Sequence, residues 1–326
     1  MPDTQLAVVT GGNSGVGLAI ARQLLAQPNA NIVVVLACRS PKRAAGARAE
    51  LLAAYPRGDV RLVALDTSSA ESVLTAARAI AEIGRVDLLF CNAGAMAIAS
   101  LSIPGIVRGL LTHPIEFFES SEALVQRRGL LSADGLGLTF QTNTFGHYLL
   151  IHALVPSMRS GARVIWTGSS ASQLEFSAGD YQHIHGSKPY ESSKYIVDQI
   201  AVPLDQRLSK HGIRCFVAEP GNVCSGFLAG LQIPVLPLLI ALVFYLLRTL
   251  GGFGRFTIDA QCASIACIFL AFTDAEHLDP RLKYFSNSSR TGHPYVTYAP
   301  LAYHANTADF LVDRLDMLVA KFDTTT

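Results

Sequence analysis

The chain of 326 residues is short of charge: lysine, arginine, aspartate and glutamate make up 16% of it, against about 25% in an ordinary soluble protein. What charge there is balances, 26 basic against 25 acidic residues, for a formal net charge of +1. There is no basic stripe with interleaved aromatics, which excludes nucleic acid as a partner. Six cysteines, at 38, 91, 215, 224, 262 and 267, form no CxxC pair and have no histidine at metal spacing. A disulfide framework and a zinc site are thereby excluded, and buried thiols in a reducing compartment are expected. The amino-terminal MPDTQLAVVTGG enters an apolar run at once. No charged, apolar and cleavable leader is expected, and synthesis on the cytosolic side follows. Repeats and low-complexity linkers are absent as well, so residues 1–326 read as a single domain.

What the chain does have is apolar surplus, with a mean hydropathy of +0.33. Its first third alternates short β-branched runs (LAVVT, NIVVVLA, VRLVAL, VDLLFC) with amphipathic stretches near 16–26 and 41–54. The pattern continues with ARVIWT, IRCFVA and a late LKYFS. Such alternation predicts βαβ units: an α/β fold with about seven parallel strands in one doubly wound, Rossmann-type sheet. Two stretches fall outside the pattern, residues 96–131 and 225–256, and read as embellishments.

Directly after the first strand, TGGNSGVGLAI places glycines at 11, 15 and 17 where a helix begins. Glycine there permits a tight turn and close approach of backbone to a pyrophosphate, and the helix amino end supplies donors and a favourable dipole. Between a first strand and its helix the cluster reads as a dinucleotide cradle. The second strand ends LACRS, offering Arg39 where an NAD enzyme would present an acid, with Lys42 and Arg43 close behind. A guanidinium suits a 2′-phosphate, so NADP(H) is expected over NAD(H). A solvated basic loop is the plainer account of the same residues.

The stretch SKPYESSKYIVDQI sets Tyr190 and Lys194 four residues apart, on one helical face. An ammonium there favours the tyrosinate and brings a phenol that titrates at about 10 toward acid chemistry at neutral pH. Alone, the pair is ordinary on a surface helix. It is not alone: the TGxxxGxG turn at Thr10 to Gly17, Asp66 after the third strand, CNAG at Cys91 to Gly94, Asn143 in QTNTFGHYLL, WTGSS ending the fifth strand, and PGNV from Pro220 stand with it. In this order the motifs resemble the short-chain dehydrogenase/reductase family over about residues 5 to 225. Within it, the insertion after CNAGAM, the phrase VIWTGSSASQLEFSAGDYQHIHGSKPYESSKY and the apolar segment after PGNV are similar to the sterol 3-keto reductases.

The resemblance implies reduction of a ketone by NADPH. Tyr190 would give the proton that hydride addition requires. Lys194 would lower the Tyr190 pKa and bind the nicotinamide ribose, and Asn143 would support a water leading from Lys194 to solvent. A serine would hold the carbonyl oxygen. Ser169, at the end of the fifth strand, stands where the family places that hydroxyl; Ser170 adjoins it, and Ser177 lies 13 residues before Tyr190 (190 − 177), a spacing common in shorter members. The implied cofactor contacts are Gly11, Ser14, Gly15 and Gly17 at the phosphate turn, Arg39 at the 2′-phosphate, and Asp66 near adenine. Asn92, Ala93 and Gly94 would lie beside the adenosine ribose, and Val223 with Ser225 at the carboxamide, where many relatives carry threonine for Ser225. His147, His183 and His185 have no carboxylate or cysteine at ligand spacing, so no metal is expected.

From Pro220 to Leu247 the chain carries no charge, and LQIPVLPLLIALVFYLL is strongly apolar. A full membrane span would part the flanks that must rejoin one sheet. A helix pair dipping into one leaflet, broken by Pro234 and Pro237 with Arg248 and Arg255 at the lipid surface, meets both demands. An apolar lid over a greasy pocket is the alternative. The resulting expectation is reduction of the 3-keto group of a sterol intermediate during C4 demethylation, at the cytosolic face of the endoplasmic reticulum membrane or on lipid droplets, beside other C4-demethylation enzymes. The alternatives are a 17-keto steroid, retinal or another lipid carbonyl as substrate, or a catalytically minor scaffold for sterol enzymes. The family's habit of pairing through its late helices leaves a homodimer open.

Overall fold

The computed structural model describes residues 4–28, 31–113, 117, 120–172, 176–223 and 236–322. Strands buried on both faces read as continuous apolar runs, as β1 (Gln5–Thr10), β2 (Ile32–Cys38) and β4 (Val86–Cys91) largely do, whereas β3 (Asp59–Ala64) carries Asp59 and Arg61 and is half exposed. Between them lie α1 (Gly15–Leu25), α2 (Pro41–Ala54) and α3 (Ala70–Ile83). Ser40 and Ser69 cap α2 and α3, each side chain accepting an amide three residues on, as short polar residues at helix starts do.

The first insertion follows: β5 (Ile98–Leu101), α4 (Ile103–Thr112) and β6 (Leu124–Gln126), with β5 and β6 paired antiparallel in a sheet of their own. The chain then returns through a π turn, Gln141–Phe145, into α5 (Gly146–Leu154), β7 (Met158–Thr167), α6 (Pro189–Leu208) and β8 (Arg214–Glu219). Last come α7 (Leu236–Thr249), α8 (Ile265–Phe272), β9 (Leu282–Ser288), β10 (Pro294–Pro300) and α9 (Ala305–Phe322).

The strand order is β10-β9-β8-β7-β4-β1-β2-β3. Seven of these strands run parallel, as the sequence pattern predicts, and the eighth, β10, pairs antiparallel along the whole of β9. Its sequence, PYVTYAP, begins and ends in proline and is largely exposed. An edge strand tolerates both, and so lacks the apolar run by which buried strands are recognised. Apolar clusters fill both faces: one packs α3, α5, α6 and α9, the other α1, α2 and α8. The order reverses between β1 and β4, which opens the crevice at the carboxyl ends of the strands where ligands bind in open α/β sheets.

The second insertion differs from expectation. Residues 224–235, with Ser225 and Pro234, lie outside the described residues. Pro237 is helical, at the second described position of α7, and the residues just before that helix are not described. The rest of the expected pair lies outside the described residues, and the described part of this segment holds one helix of 14 residues. Its length is about 21 Å at 1.5 Å per residue, against a hydrocarbon core of about 30 Å. Among the described residues, no helix is long and apolar enough to cross a membrane. Arg248 is withdrawn from the surface, whereas Arg255 keeps 41% of its side chain exposed. Arg248 is 9% exposed with its guanidinium 5.6 Å from the Tyr245 ring centroid, and Arg255 sits 4.6 Å from that of Phe285 and 4.0 Å from Glu219. An aromatic face lies under each guanidinium, and the buried Glu219 carboxylate lies near the second.

Candidate active site

The crevice is walled on one side by the glycine turn. Gly11 takes φ +66°, and a Cβ on Gly17 would lie 2.5 Å from the Gly11 carbonyl oxygen and 2.6 Å from the Asn92 side chain, so the first turn of α1 packs against the loops with no room for a side chain. Ser14 precedes α1 with extended backbone and its hydroxyl unspent on capping, the first turn holds no acid, and Gly15 faces open space. A helix amino end left uncapped and unneutralised in this way fits a pyrophosphate. Arg39 is exposed just past β2. Burial pushes the neighbouring Cys38 thiol up to about 11, so it adds no charge beside the guanidinium.

Two polar clamps hold the next loops. The Thr10 hydroxyl accepts the amides of Asn92 and Ala93, both at 2.9 Å, and Asn92 Nδ2 donates to the Thr10 carbonyl at 3.0 Å. His147 Nε2, fully buried, lies 2.9 Å from the same hydroxyl. Burial first and the Lys194 ammonium second push His147 down to about 3, which makes it a neutral strut between α5 and Thr10 at the end of β1. Asn143, in the π turn, accepts from the Ala95 amide at 2.8 Å and donates to the Ala95 carbonyl and Ser193 hydroxyl, each at 3.0 Å. Ser193 donates in turn to the Tyr190 carbonyl at 2.6 Å. Asp66 is engaged locally, accepting the amide and hydroxyl of Ser68 at 3.0 and 2.6 Å where the chain enters α3.

The helix bearing the pair, α6, begins at Pro189, and the residue before it, Lys188, supplies no side-chain cap. The cap comes from the first insertion. Gln126 of β6 accepts the Tyr190 amide at 2.9 Å and donates to the Glu191 carboxylate at 2.6 Å. The Tyr190 phenol is hydrogen-bonded to Ser169. Of the three candidate serines it is therefore Ser169 that the fold brings to the phenol; Ser177 starts the short turn Ala178–Asp180 instead.

Lys194, 4% exposed, donates to the Thr167 carbonyl at 2.7 Å and lies 5.9 Å from the Tyr190 ring centroid. The expected lowering of the phenol by this lysine is not what the geometry yields. Burial pushes Tyr190 up to about 12, Ser169 pulls against it, and the carboxylates of Glu191 and Glu219 add to the rise. The ammonium is itself driven down to about 8, by burial first, with Asp198 opposing and Lys283 adding to the fall. It is turned to a main-chain carbonyl rather than to the phenol oxygen.

At the far wall, Val223 forms a parallel bridge with Ile258, while Ser225 is outside the described residues. Asn222 donates its amide to Arg255 and Ile258 donates back to Asn222, at 2.7 and 3.1 Å. Ile258 has φ +68°, a left-handed conformation that a β-branched residue adopts only when its surroundings impose it. The HIH run is a loop knot: the Asp180 carboxylate accepts the amides of Ile184 and His185, and His183 Nε2 accepts that of Lys188. Among the described residues, the one triplet with metal-ligand atoms in reach of one another is the exposed Asp274, Glu276 and His277, away from these histidines in sequence.

Four residues that the sequence reading passed over meet here: Gln126, Asp198, Glu219 and Lys283. Asp198 is one helical turn beyond Lys194, and Glu219 and Lys283 are charges inside the apolar strands RCFVAE and LKYFSNS, so a signal existed for these. Gln126 carried none.

Residues 5–232 match the family model of short chain dehydrogenases. The 3-keto-steroid reductase/17-beta-hydroxysteroid dehydrogenase 7 of Homo sapiens is 32% identical over 95% of this chain and 92% of its own. The 3-keto-steroid reductase of Schizosaccharomyces pombe is 31% identical over 90% of each. Among solved structures, an uncharacterized protein from Mycobacterium paratuberculosis superposes with a TM-score of 0.65 at 20% identity, covering 97% of this chain and 93% of that one. The RhlG/NADP complex of Pseudomonas aeruginosa does so with 0.60 at 22%, covering 89% and 96%. With the glycine cradle, Asn143, Ser169, Tyr190 and Lys194 gathered at one crevice, and these matches along nearly its whole length, the chain belongs to the short-chain dehydrogenase family.

Proposed function

We propose that this protein uses NADPH to reduce the 3-keto group of a sterol intermediate to the 3β-alcohol. The observation that carries the chemistry is the half-buried Tyr190 phenol, hydrogen-bonded to Ser169 with Lys194 5.9 Å from its ring centroid. When bound, the reduced nicotinamide supplies the hydride. Hydride addition turns a ketone into an alkoxide, a far stronger base than a phenolate, so the site must hold a proton ready. A phenol raised to about 12 keeps its proton across the neutral range. The direction of the shift suits reduction and disfavours alcohol oxidation at neutral pH, which would need the phenolate. Ser169 is placed to hold the carbonyl oxygen, and Lys194, 5.9 Å from the Tyr190 ring centroid, to bind the nicotinamide ribose. Asn143, through Ser193, fixes the first turn of α6 on which that geometry depends.

The cradle residues Gly11, Ser14, Gly15 and Gly17 would hold the pyrophosphate. Arg39 would take the 2′-phosphate, Asp66 would approach adenine, Asn92, Ala93 and Gly94 the adenosine ribose, and Val223 with Ser225 the carboxamide. The substrate class rests on the human and yeast relatives, whose names specify 3-keto steroids.

The apolar helices supply the route for so insoluble a substrate. On α7, Leu238, Leu239, Leu242, Tyr245 and Leu246 are exposed, and on α4 Ile103, Val107 and Leu111, each set at helical spacing. Both insertions thus carry an unpartnered apolar stripe, larger than scattered surface residues account for. In this reading they lie on the cytosolic face of the endoplasmic reticulum membrane or on a lipid droplet, near other enzymes of C4 demethylation.

NADPH oxidation by detergent-solubilised protein, offered a 3-keto sterol, a 17-keto steroid and retinal in turn, tests the substrate. Turnover with the first alone is expected. Tyr190→Phe should cut kcat by a factor of about 10² to 10⁴ while NADPH still binds; an unchanged kcat would remove Tyr190 from the chemistry. In vesicle sedimentation, Leu242→Glu/Leu246→Glu should release the protein from neutral phosphatidylcholine vesicles. Equal binding of both proteins would refute the docking of α7.

A further inference from the structure

Beneath the pocket, on β9, stands a lysine outside every motif of the family and beyond the residues its model matches. Lys283 is 7% exposed, and its ammonium donates to the Ser169 carbonyl at 2.9 Å, Asp198 Oδ2 at 2.9 Å and Ser172 Oγ at 3.0 Å, with Glu219 Oε2 paired to it at 3.2 Å. These belong to different parts of the site. Ser169 and Ser172 follow β7, Asp198 lies one turn past Lys194 on α6, and Glu219 ends β8 immediately before the Pro220–Val223 loop. Glycine at 168 makes the reach feasible, because a Cβ there would fall 3.1 Å from Lys283 Cε and 2.9 Å from a Val217 methyl.

We infer that Lys283 is a positioning residue for the reduction: one buried cation that sets the Ser169 main chain, the Lys194-bearing turn of α6 and the end of β8 against one another. The inference rests on the reading of Ser169, Tyr190 and Lys194 given above.

The cost of the arrangement argues that it does more than stabilise. Two buried carboxylates and two buried ammoniums, of Asp198, Glu219, Lys194 and Lys283, occupy one region. A buried ion network is a weak source of stability, because desolvation consumes most of the attraction, and neutral replacements of similar volume often fold as well or better. Geometry is what such a network secures. Burial works against the Lys283 charge, and Asp198 with Glu219 more than offsets it, holding its pKa above the ordinary lysine value. The cation therefore persists at neutral pH. Hydrogen bonds to a charged donor are short and directional, so the Ser169 carbonyl is fixed by its strongest partner. The hydroxyl that meets Tyr190 sits on the same residue.

The same cation acts on Lys194 in two ways. It repels that ammonium directly, and it shares Asp198, whose carboxylate favours the charged form of Lys194. Removing Lys283 alone would leave Asp198 and Glu219 buried with only the more distant Lys194 and Arg255 to offset them, a change severe enough to threaten folding. The informative variant is the neutral triple Lys283→Met/Asp198→Asn/Glu219→Gln.

The triple variant should melt within a few degrees of the parent and bind NADPH, read by cofactor fluorescence, within about threefold. Its KM for the ketone that the parent reduces should likewise hold, while kcat falls at least tenfold. A folded triple variant with kcat within twofold of the parent overturns the inference. Should that variant not fold, Asp198→Asn, which leaves Lys283 paired with Glu219, is read in the same way. A three- to tenfold loss of kcat with NADPH affinity retained supports the role, and an unchanged kcat overturns it. If neither the parent nor Tyr190→Phe differs from blank, the failure belongs to the proposed reaction and not to Lys283. NADPH affinity and melting temperature are measured independently of turnover.

Discussion

The glycine turn after β1 and the charged floor under Lys194 both prepare one edge of a sheet for charge, by opposite means. The turn does it with almost no side chains: an uncapped helix end, an open face at Gly15, and a contact at Gly17 too tight for a Cβ. The floor does it with side chains alone, Lys194, Asp198, Glu219 and Lys283, drawn from α6, β8 and β9 and buried together. One site exposes main-chain dipoles to an incoming anion; the other encloses full charges that neutralise one another. A cradle for a ligand has to be open, whereas a support for catalytic groups has to be dry, since only in a low dielectric are its contacts strong enough to fix geometry.

The contrast can be broken first at the turn. Gly17→Ala forces a methyl against the Gly11 carbonyl, and overpacking of this kind costs about 1–3 kcal/mol, so NADPH affinity should fall about tenfold to a hundredfold by fluorescence titration. Affinity equal to the parent would mean the turn relaxes freely and is no rigid cradle. Next, Arg39→Ala removes one charge-assisted contact, which should weaken NADPH by about tenfold and leave NADH unmoved. Parallel loss for both cofactors would place Arg39 in general folding rather than at the 2′-phosphate.

The smallest effect probes the strut that joins the two regions. His147 is held near 3 in the folded chain and titrates at about 6.5 when unfolded. Between those values the unfolded chain binds more protons, so stability from this residue is complete above about 6.5 and is lost as pH falls toward 3. The slope is at most about 1.4 kcal/mol per pH unit. His147→Gln should show a shallower fall in urea midpoint between pH 7 and 5 than the parent. Identical slopes would show that His147 is not the buried neutral group that burial and Lys194 make it.

Legibility followed the range of the physics. The βαβ alternation, the limits of α2 at Pro41–Ala54 and the start of β9 at Leu282 could be read from the chain, because periodicity and capping act over a few residues. The cradle and the Tyr190/Lys194 pair were legible for the same reason. The antiparallel β10 was not, since an exposed edge strand needs no apolar signature. Neither was the Gln126 cap on α6, whose partners lie 64 and 65 residues away. The apolar run after Pro220 suggests a helix pair broken by Pro234 and Pro237; Pro234 lies outside the described residues, and Pro237 is taken up in the described helix α7.

By itself, then, the sequence determined the βαβ order of the parallel strands, the glycine turn after β1 and the helical spacing of Tyr190 and Lys194, all encoded by residues within a turn or two of one another. Only the tertiary structure decided which serine meets Tyr190, why the phenol rises in pKa, and what supports it from below. Those outcomes depend on burial and on contacts between β7, α6, β8 and β9, and neither quantity exists until the sheet has brought distant residues together.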